Sequence, residues 1–144
     1  MFEPSESRPR ILIVDGDRRV RRSLSGILEA SDRVEVVGCV STAVEALDLA
    51  IWHCPDALLI DLDRSDAAAL LELIPAFRSS CDHAAIVVLS GTASLREIAF
   101  QAGADEFLNK YEAADELAEA VAAIAAGSAG WTDPASDVQT RRTQ

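Results

Sequence analysis

Five short strand-like segments, most of them apolar runs and each followed by a stretch of helical spacing, constrain this chain more than anything else in it. The segments are RILIV at 10–14, VEVVG at 34–38, ALLID at 57–61, AIVVL at 85–89 and ADEFL at 104–108. After them the apolar residues fall three or four apart: Val20, Leu24, Ile27 and Leu28; Val44, Leu47 and Ile51; Leu70, Leu71, Ile74 and Phe77; Leu95, Ile98, Ala99 and Ala102; Leu117, Val121 and Ile124. That spacing predicts a helix after every strand. Unbroken strand–helix alternation calls for a parallel sheet with helices on both faces, because strands buried on both faces read as apolar runs rather than alternating ones. The predicted class is α/β.

Local signals agree with this order. Asp17 is placed to cap the first helix, Ser41 or Thr42 opens the second, and Gly103 stops the fourth. Pro75 leaves the end of the third helix open, since it lacks a backbone donor. Residues 127–144, GSAGWTDPASDVQTRRTQ, show no period and read as a linker or flexible tail, with Trp131 either exposed or anchoring it. The first nine residues read as a flexible N-terminus, leaving 10–126 as the one folded domain that 144 residues accommodate.

Right-handed crossovers bring every strand-to-helix loop to the same edge of the sheet. Asp15, Asp61, Ser90 and the Asn109-Lys110 pair all follow strand ends, so they should converge, on the edge where open sheets bind ligands. Carboxylates gathered at one point repel each other unless a proton or cation intervenes. Mg²⁺ suits them, being a hard ion that prefers oxygen ligands and keeps waters. Such an ion also offsets charge on a phosphoryl oxygen, and a hydroxyl and an ammonium nearby, here Ser90 and Lys110, would hold the others.

Composition narrows the partners. A net charge of −11 argues against non-specific binding of nucleic acid by this chain. Cys39, Cys54 and Cys81 form no CxxC and have only His53 and His83 to join them, so neither a structural zinc nor a disulfide framework is expected. The chain has no apolar run of about 18 residues and its N-terminus lacks the apolar segment of a secretory signal, which predicts a cytoplasmic protein without membrane contact.

Four segments carry a family resemblance: ILIVDGD at 11–17, LLIDLD at 58–63, VVLSGTA at 87–93 and AGADEFLNK at 102–110. In this order and spacing they resemble the receiver domain of bacterial two-component response regulators, from about Arg10 to Ala126. The resemblance implies a flavodoxin-like, doubly wound sheet of order 2-1-3-4-5. It also implies Asp61 as the aspartate phosphorylated by a sensor histidine kinase, Ser90 as the switch hydroxyl and Lys110 as the site cation. Mg²⁺ would be held by Asp15, Asp61 and Asp63, the last through its carbonyl or side chain, with Asp17 as a further candidate ligand. Phe107 matches the aromatic whose rotamer follows activation, and Arg96, Phe100 and Tyr111, with Glu97 and Glu116, lie on the face that commonly makes homodimer or effector contacts. VEVVGCVSTAVEALDLA is similar to receivers that precede a LuxR-type helix-turn-helix domain, so DNA would be reached only through an output domain outside this chain. A stand-alone receiver is the other option.

Three departures touch the pocket. Gly16 stands where the family has a second acid that usually contacts the metal, so Mg²⁺ binding is expected to be weak or absent unless Asp17 or Asp63 compensates. DLDRSDAAAL replaces the usual Met-Pro and Gly-rich turn, with Arg64 free to pair with Asp63 or Asp66 or to occupy the cation position. Tyr111 follows Lys110 where the family usually has proline. Two other functions therefore stay open: a pseudo-receiver that binds partners without phosphorylation, and a haloacid-dehalogenase-like phosphatase, whose nucleophile segment DLD resembles. Each site residue also has a plainer reading. Asp61, Asp15 and Asp63 could be solvated acids, Asp17 and Ser90 helix caps, Lys110 a surface cation and Phe107 simply core.

Overall fold

The computed structural model describes residues 8–63, 67–111 and 114–127. Ten elements alternate without exception: β1 Arg10–Val14, α1 Arg18–Ala30, β2 Glu35–Val40, α2 Ala43–His53, β3 Ala57–Asp61, α3 Ala67–Ser80, β4 Ala85–Ser90, α4 Leu95–Ala102, β5 Glu106–Asn109 and α5 Ala114–Ala125. All pairings are parallel, and the sheet order is β2-β1-β3-β4-β5. The expected doubly wound fold is the fold observed.

The pleat divides the core. Leu12, Val14, Leu58, Ile60, Ile86 and Val88 point to one face, where they meet Ala46 and Ala50 of α2, Leu70, Leu73, Ile74 and Phe77 of α3, and Ala99 of α4. Their chain neighbours Ile11, Ile13, Leu59, Val87 and Leu89 point the other way, onto Leu24 and Leu28 of α1 and Leu117, Ala118 and Val121 of α5. Successive strand residues alternate faces, so the five strands supply both layers. Residues 57–61 of the central strand are buried throughout.

Several sequence expectations shift in detail. β2 begins and ends later than 34–38 and carries a register irregularity against β1 between Ile11 and Leu12. β5 starts at Glu106 rather than 104, because the Asp105 carboxylate accepts the Ile86 N–H at 2.7 Å and the Arg78 guanidinium at 2.7 Å. Of the three larger apolar residues that mark the second helix, Leu47 packs on the core, but Val44 and Ile51 are 70% and 65% exposed, while Ala46 and Ala50 are fully buried. Two alanines permit a close approach of α2 to the sheet that Val44 and Ile51 would obstruct. α3 runs straight through Pro75, whose ring is on the solvent side.

The caps behave as their chemistry predicts. The Asp17 carboxylate accepts the Arg19 N–H at the start of α1, Thr42 accepts the Glu45 N–H at the start of α2, and Glu45 returns a bond to the Ser41 N–H. Gly103 closes α4 at φ 113°, a left-handed conformation that suits glycine. Pro9 extends the sheet's hydrogen bonding through its carbonyl, which accepts the Glu35 N–H at 2.8 Å. Arg64, Asp66 and Trp131 lie outside the described residues. No helix among the described residues is long and apolar enough to cross a membrane.

Candidate functional site

Strand register builds the site. Val14 pairs with Ile60, so the next residue of each strand, Asp15 and Asp61, leaves the carboxyl edge side by side. Asp61 is level with Leu89 on β4, and Ser90 is level with Asn109 on β5, which brings Lys110 over the same edge. The order of the sheet reverses at β1 and β3, and the crevice there is the expected ligand position in such folds. Asp15, Asp61 and Ser90 are also the three buried polar side chains among the described residues.

Asp15 is held tightly and left unsatisfied. Its N–H donates to the Val40 carbonyl at 3.0 Å, and its own carbonyl accepts from the Arg21 guanidinium at 2.7 Å. Its Oδ1 accepts the Asp17 N–H at 2.8 Å, whereas Oδ2 is buried with no hydrogen-bond partner. Burial, reinforced by the Asp61 carboxylate alongside, outweighs that N–H bond and the Lys110 charge and pushes the Asp15 carboxyl up to about 7.

Asp61 Oδ1 accepts the Asp63 N–H at 2.8 Å, and Oδ2 accepts the Lys110 ammonium at 3.1 Å. The same ammonium is 3.1 Å from Asp63 Oδ2. Burial pulls the Lys110 proton affinity down, but bonds to two carboxylates more than reverse it, so the cation is held above its ordinary range.

The Asp63 side chain lies across the pocket toward β4. It accepts the Ser90 hydroxyl through a short hydrogen bond on Oδ1 and the Gly91 N–H at 2.7 Å on Oδ2. Partial burial raises its carboxyl, but the Gly91 N–H, the Ser90 hydroxyl and the Lys110 charge together bring it below the usual carboxylate range. Ser90 is no helix cap: α4 begins at Leu95, and the Ser90 hydroxyl instead accepts the Thr92 N–H at 2.9 Å within a turn. A Cβ at Gly91 would sit 2.2 Å from Tyr111 Cε2, so any larger residue there requires that exposed ring to move.

Phe107 is 5% exposed and packs in the core layer of α2, α3 and α4, with the Arg96 guanidinium 5.7 Å from its ring centroid. Arg96 also covers Phe100 at 5.2 Å, while Phe100 and Tyr111 are exposed. A cavity of about 270 Å³, lined by Val20, Leu24, Ile27 and Leu117, opens between α1 and α5 and ends at Asp61 and Lys110.

The carboxylates fit a hydrated hard cation rather than a protein-built cage. Asp15 Oδ2 offers an unsatisfied buried acceptor beside Asp61, Gly16 offers no side chain, Asp17 caps α1, and Asp63 is engaged with β4. Among the described residues no three His, Cys, Asp or Glu side chains are grouped to hold a metal. A two-carboxylate site matches Mg²⁺, which retains several waters.

The sequence located Asp15, Asp61, Ser90 and Lys110 on this edge, and the structure brings them together. It did not reveal the direction of the Asp63 side chain, nor the parts of Gly91 and Arg21. A signal for Asp63 existed: DLD places a second carboxylate two residues past the strand, on the side from which Asp61 also projects.

The model of the response regulator receiver domain matches residues 11–122. The mycobacterial response regulator MprA (Mycobacterium sp. strain KMS) is 39% identical over 112 residues, which cover 75% of this chain and 46% of that protein. The chain thus spans about half the length of that relative. Among solved structures, a LuxR-family two-component response regulator from Aurantimonas sp. SI85-9A1 superposes with a TM-score of 0.79 at 27% identity, covering 96% of this chain and all of that one. A response regulator from Burkholderia pseudomallei, solved with a phosphorylated aspartic acid and a calcium ion, gives 0.70 at 25% identity over 93% of this chain and 72% of its own. With its sheet order, its acidic edge and a match running from the first strand into the last helix, the chain belongs to the response regulator receiver domain family of two-component signalling.

Proposed function

We propose that Asp61 accepts a phosphoryl group from a phosphohistidine of a sensor histidine kinase. An Asp61 carboxylate oxygen attacks phosphorus, the phosphorus–nitrogen bond breaks, and the imidazole leaves with its electron pair and takes up a proton. Water later cleaves the acyl phosphate and restores the carboxylate. The observation that carries this reading is the contact of buried Asp61 with Lys110 beside the unsatisfied Asp15 Oδ2, at the end of the α1–α5 cavity. The phosphorylated aspartic acid of the Burkholderia relative supports it.

Lys110 orients Asp61 and neutralises charge on the incoming group, and Ser90 and the Gly91 N–H are positioned to donate to phosphoryl oxygens. Mg²⁺, held by Asp15, Asp61 and the Asp63 carbonyl, would offset the remaining negative charge. The domain spans 10–126 and acts through the Arg96, Phe100 and Tyr111 face, with the switch aromatic Phe107 buried under Arg96, as a homodimer or on an effector, with transcription controlled by an output domain beyond 127–144. The test is acetyl phosphate with Mg²⁺ followed by intact mass: one phosphoryl group is expected, lost in Asp61→Asn. An unlabelled wild type, under conditions that label an ordinary receiver, defeats this reading.

A second reading, a phosphorylation-independent interaction module, is favoured by one observation: Gly16 leaves the pocket with two carboxylates facing a cation. It predicts an interface indifferent to Asp61→Asn. Dimerisation that appears only on phosphorylation excludes it.

A further inference from the structure

The pocket at the carboxyl edge already contains an anion, and that anion is part of the chain. The Ser90 hydroxyl, the Gly91 N–H and the Lys110 ammonium come from the end of β4, the turn after it and the end of β5, and all three donate to one carboxylate, that of Asp63. Its two oxygens divide them, Oδ1 taking the hydroxyl and Oδ2 the N–H and the ammonium. A hydroxyl, a backbone N–H and an ammonium converging on neighbouring oxygens form an oxyanion cradle, which recognises charge and geometry rather than the element that bears the oxygens.

We propose that Asp63 is the resident anion of this cradle: its carboxylate stands where two phosphoryl oxygens would sit, holds Ser90 and Gly91 in the engaged position without any ligand, and must swing out before an external oxyanion can bind. The proposal rests on the phosphoacceptor reading only for the identity of that oxyanion.

The loop is built for both states. The Asp63 backbone is tied to Asp61 Oδ1 through its N–H, so the side chain alone has to move. Asp61 and Ser90 are each 1% exposed, whereas the Asp63 side chain is 16% exposed, which leaves it the most solvent-accessible of the three. Charge gives the exchange its direction. One ammonium serves two carboxylates at 3.1 Å each, and an incoming phosphoryl group makes a third claimant, so the carboxylate nearest the solvent is the one displaced.

The consequence is competition. A cradle filled by its own carboxylate nine-tenths of the time binds an external anion about tenfold more weakly than an empty one. Asp63→Ala keeps the backbone carbonyl and removes the competitor. Asp63→Asn keeps the shape but not the charge, and guards against a fold defect in the alanine variant.

The experiment is an NMR titration of the wild type, Asp63→Ala and Asp63→Asn with inorganic phosphate, read at the Gly91 amide, paired with acetyl phosphate labelling of the same proteins. Asp63→Ala should bind inorganic phosphate about tenfold more tightly, Asp63→Asn should fall between, and the Gly91 amide of the unliganded alanine variant should lose its downfield shift and exchange with solvent faster. Phosphate affinity that is equal or weaker in both variants overturns the proposal, whatever the labelling shows. Tighter phosphate binding with no labelling of any protein sustains the resident anion and refutes the phosphoacceptor reading. Labelling of the wild type without a gain in phosphate affinity does the reverse.

Discussion

Replacing Asp15 by asparagine should stabilise the protein at alkaline pH, and the pocket geometry sets the size of the gain. Asp15 is fully buried, Oδ2 lacks a partner, and Asp61 stands beside it. In the folded protein its carboxyl titrates near 7 instead of 3.8, about three decades of proton affinity, which corresponds to a ceiling of about 4 kcal/mol. The sign follows from the direction of that change. A raised carboxyl favours the native state through its bound proton; this contribution is complete below about pH 4 and is lost as pH rises through about 7. Above that pH two ionised carboxylates face each other. Asparagine retains an acceptor for the Asp17 N–H, presents an amide to Asp61 where Oδ2 was orphaned, and carries no charge. The weaker neutral bond from the Asp17 N–H reduces the gain to about 2 kcal/mol at pH 8.

Urea unfolding followed by circular dichroism, at pH 5 and pH 8 in buffer free of divalent cations, measures this gain. The stability gap between Asp15→Asn and wild type should widen from pH 5 to pH 8. Adding Mg²⁺ at pH 8 should narrow it, since a cation between Asp15 and Asp61 stabilises the wild type alone. A gap that stays constant with pH, or a variant less stable than wild type at pH 8, refutes the account of Asp15 as a carboxylate strained by burial and by its neighbour.

Two further outcomes follow from packing. Gly91→Ala drives a methyl into the Tyr111 ring, a contact of 2.2 Å that the ring, 76% exposed, relieves by swinging away, so the loss should be about 1 kcal/mol and should be largely recovered in Gly91→Ala/Tyr111→Ala; strictly additive effects in a double-mutant cycle contradict this contact. Pro75→Ala restores a donor inside α3 at an exposed position and should raise stability by about 1 to 2 kcal/mol after allowing for the greater freedom of the unfolded chain; an unchanged or lower urea midpoint contradicts the uninterrupted helix.

The parts of the fold legible in the sequence are those set by local chemistry. RILIV and ALLID became β1 and β3 residue for residue, since a strand flanked on both sides and covered on both faces has no exposed position to blur its ends. Edge strands were less legible: β2 moved by one or two residues, where a register irregularity intervenes beside β1. α2 was legible only in part: Leu47 packs on the core as its spacing implies, but close packing on the sheet chose Ala46 and Ala50 and left the larger Val44 and Ile51 in solvent. Pro75 shows the opposite bias: the residue most hostile to a helix was overridden by the four buried positions Leu70, Leu73, Ile74 and Phe77 that α3 places in the core.

The pocket divides along the same line. Topology alone placed Asp15, Asp61, Ser90 and Lys110 on one edge, because crossover handedness fixes where loops emerge whatever their sequence. Side-chain direction within those loops depends on a competition that spacing does not encode. Asp63 can face solvent, turn toward a cation with Asp15 and Asp61, or cross to β4. The structure resolves this by counting donors: the Ser90 hydroxyl, the Gly91 N–H and the shared Lys110 ammonium offer Asp63 three bonds, while turning toward Asp15 would add a third carboxylate to a place where one oxygen is already orphaned. Gly16 sharpens that choice. Without a second acid at the end of β1, the cation side of the pocket is poorer in ligands, the cradle side keeps all its donors, and the Asp63 carboxylate is drawn to the donors, into the place of the phosphoryl group.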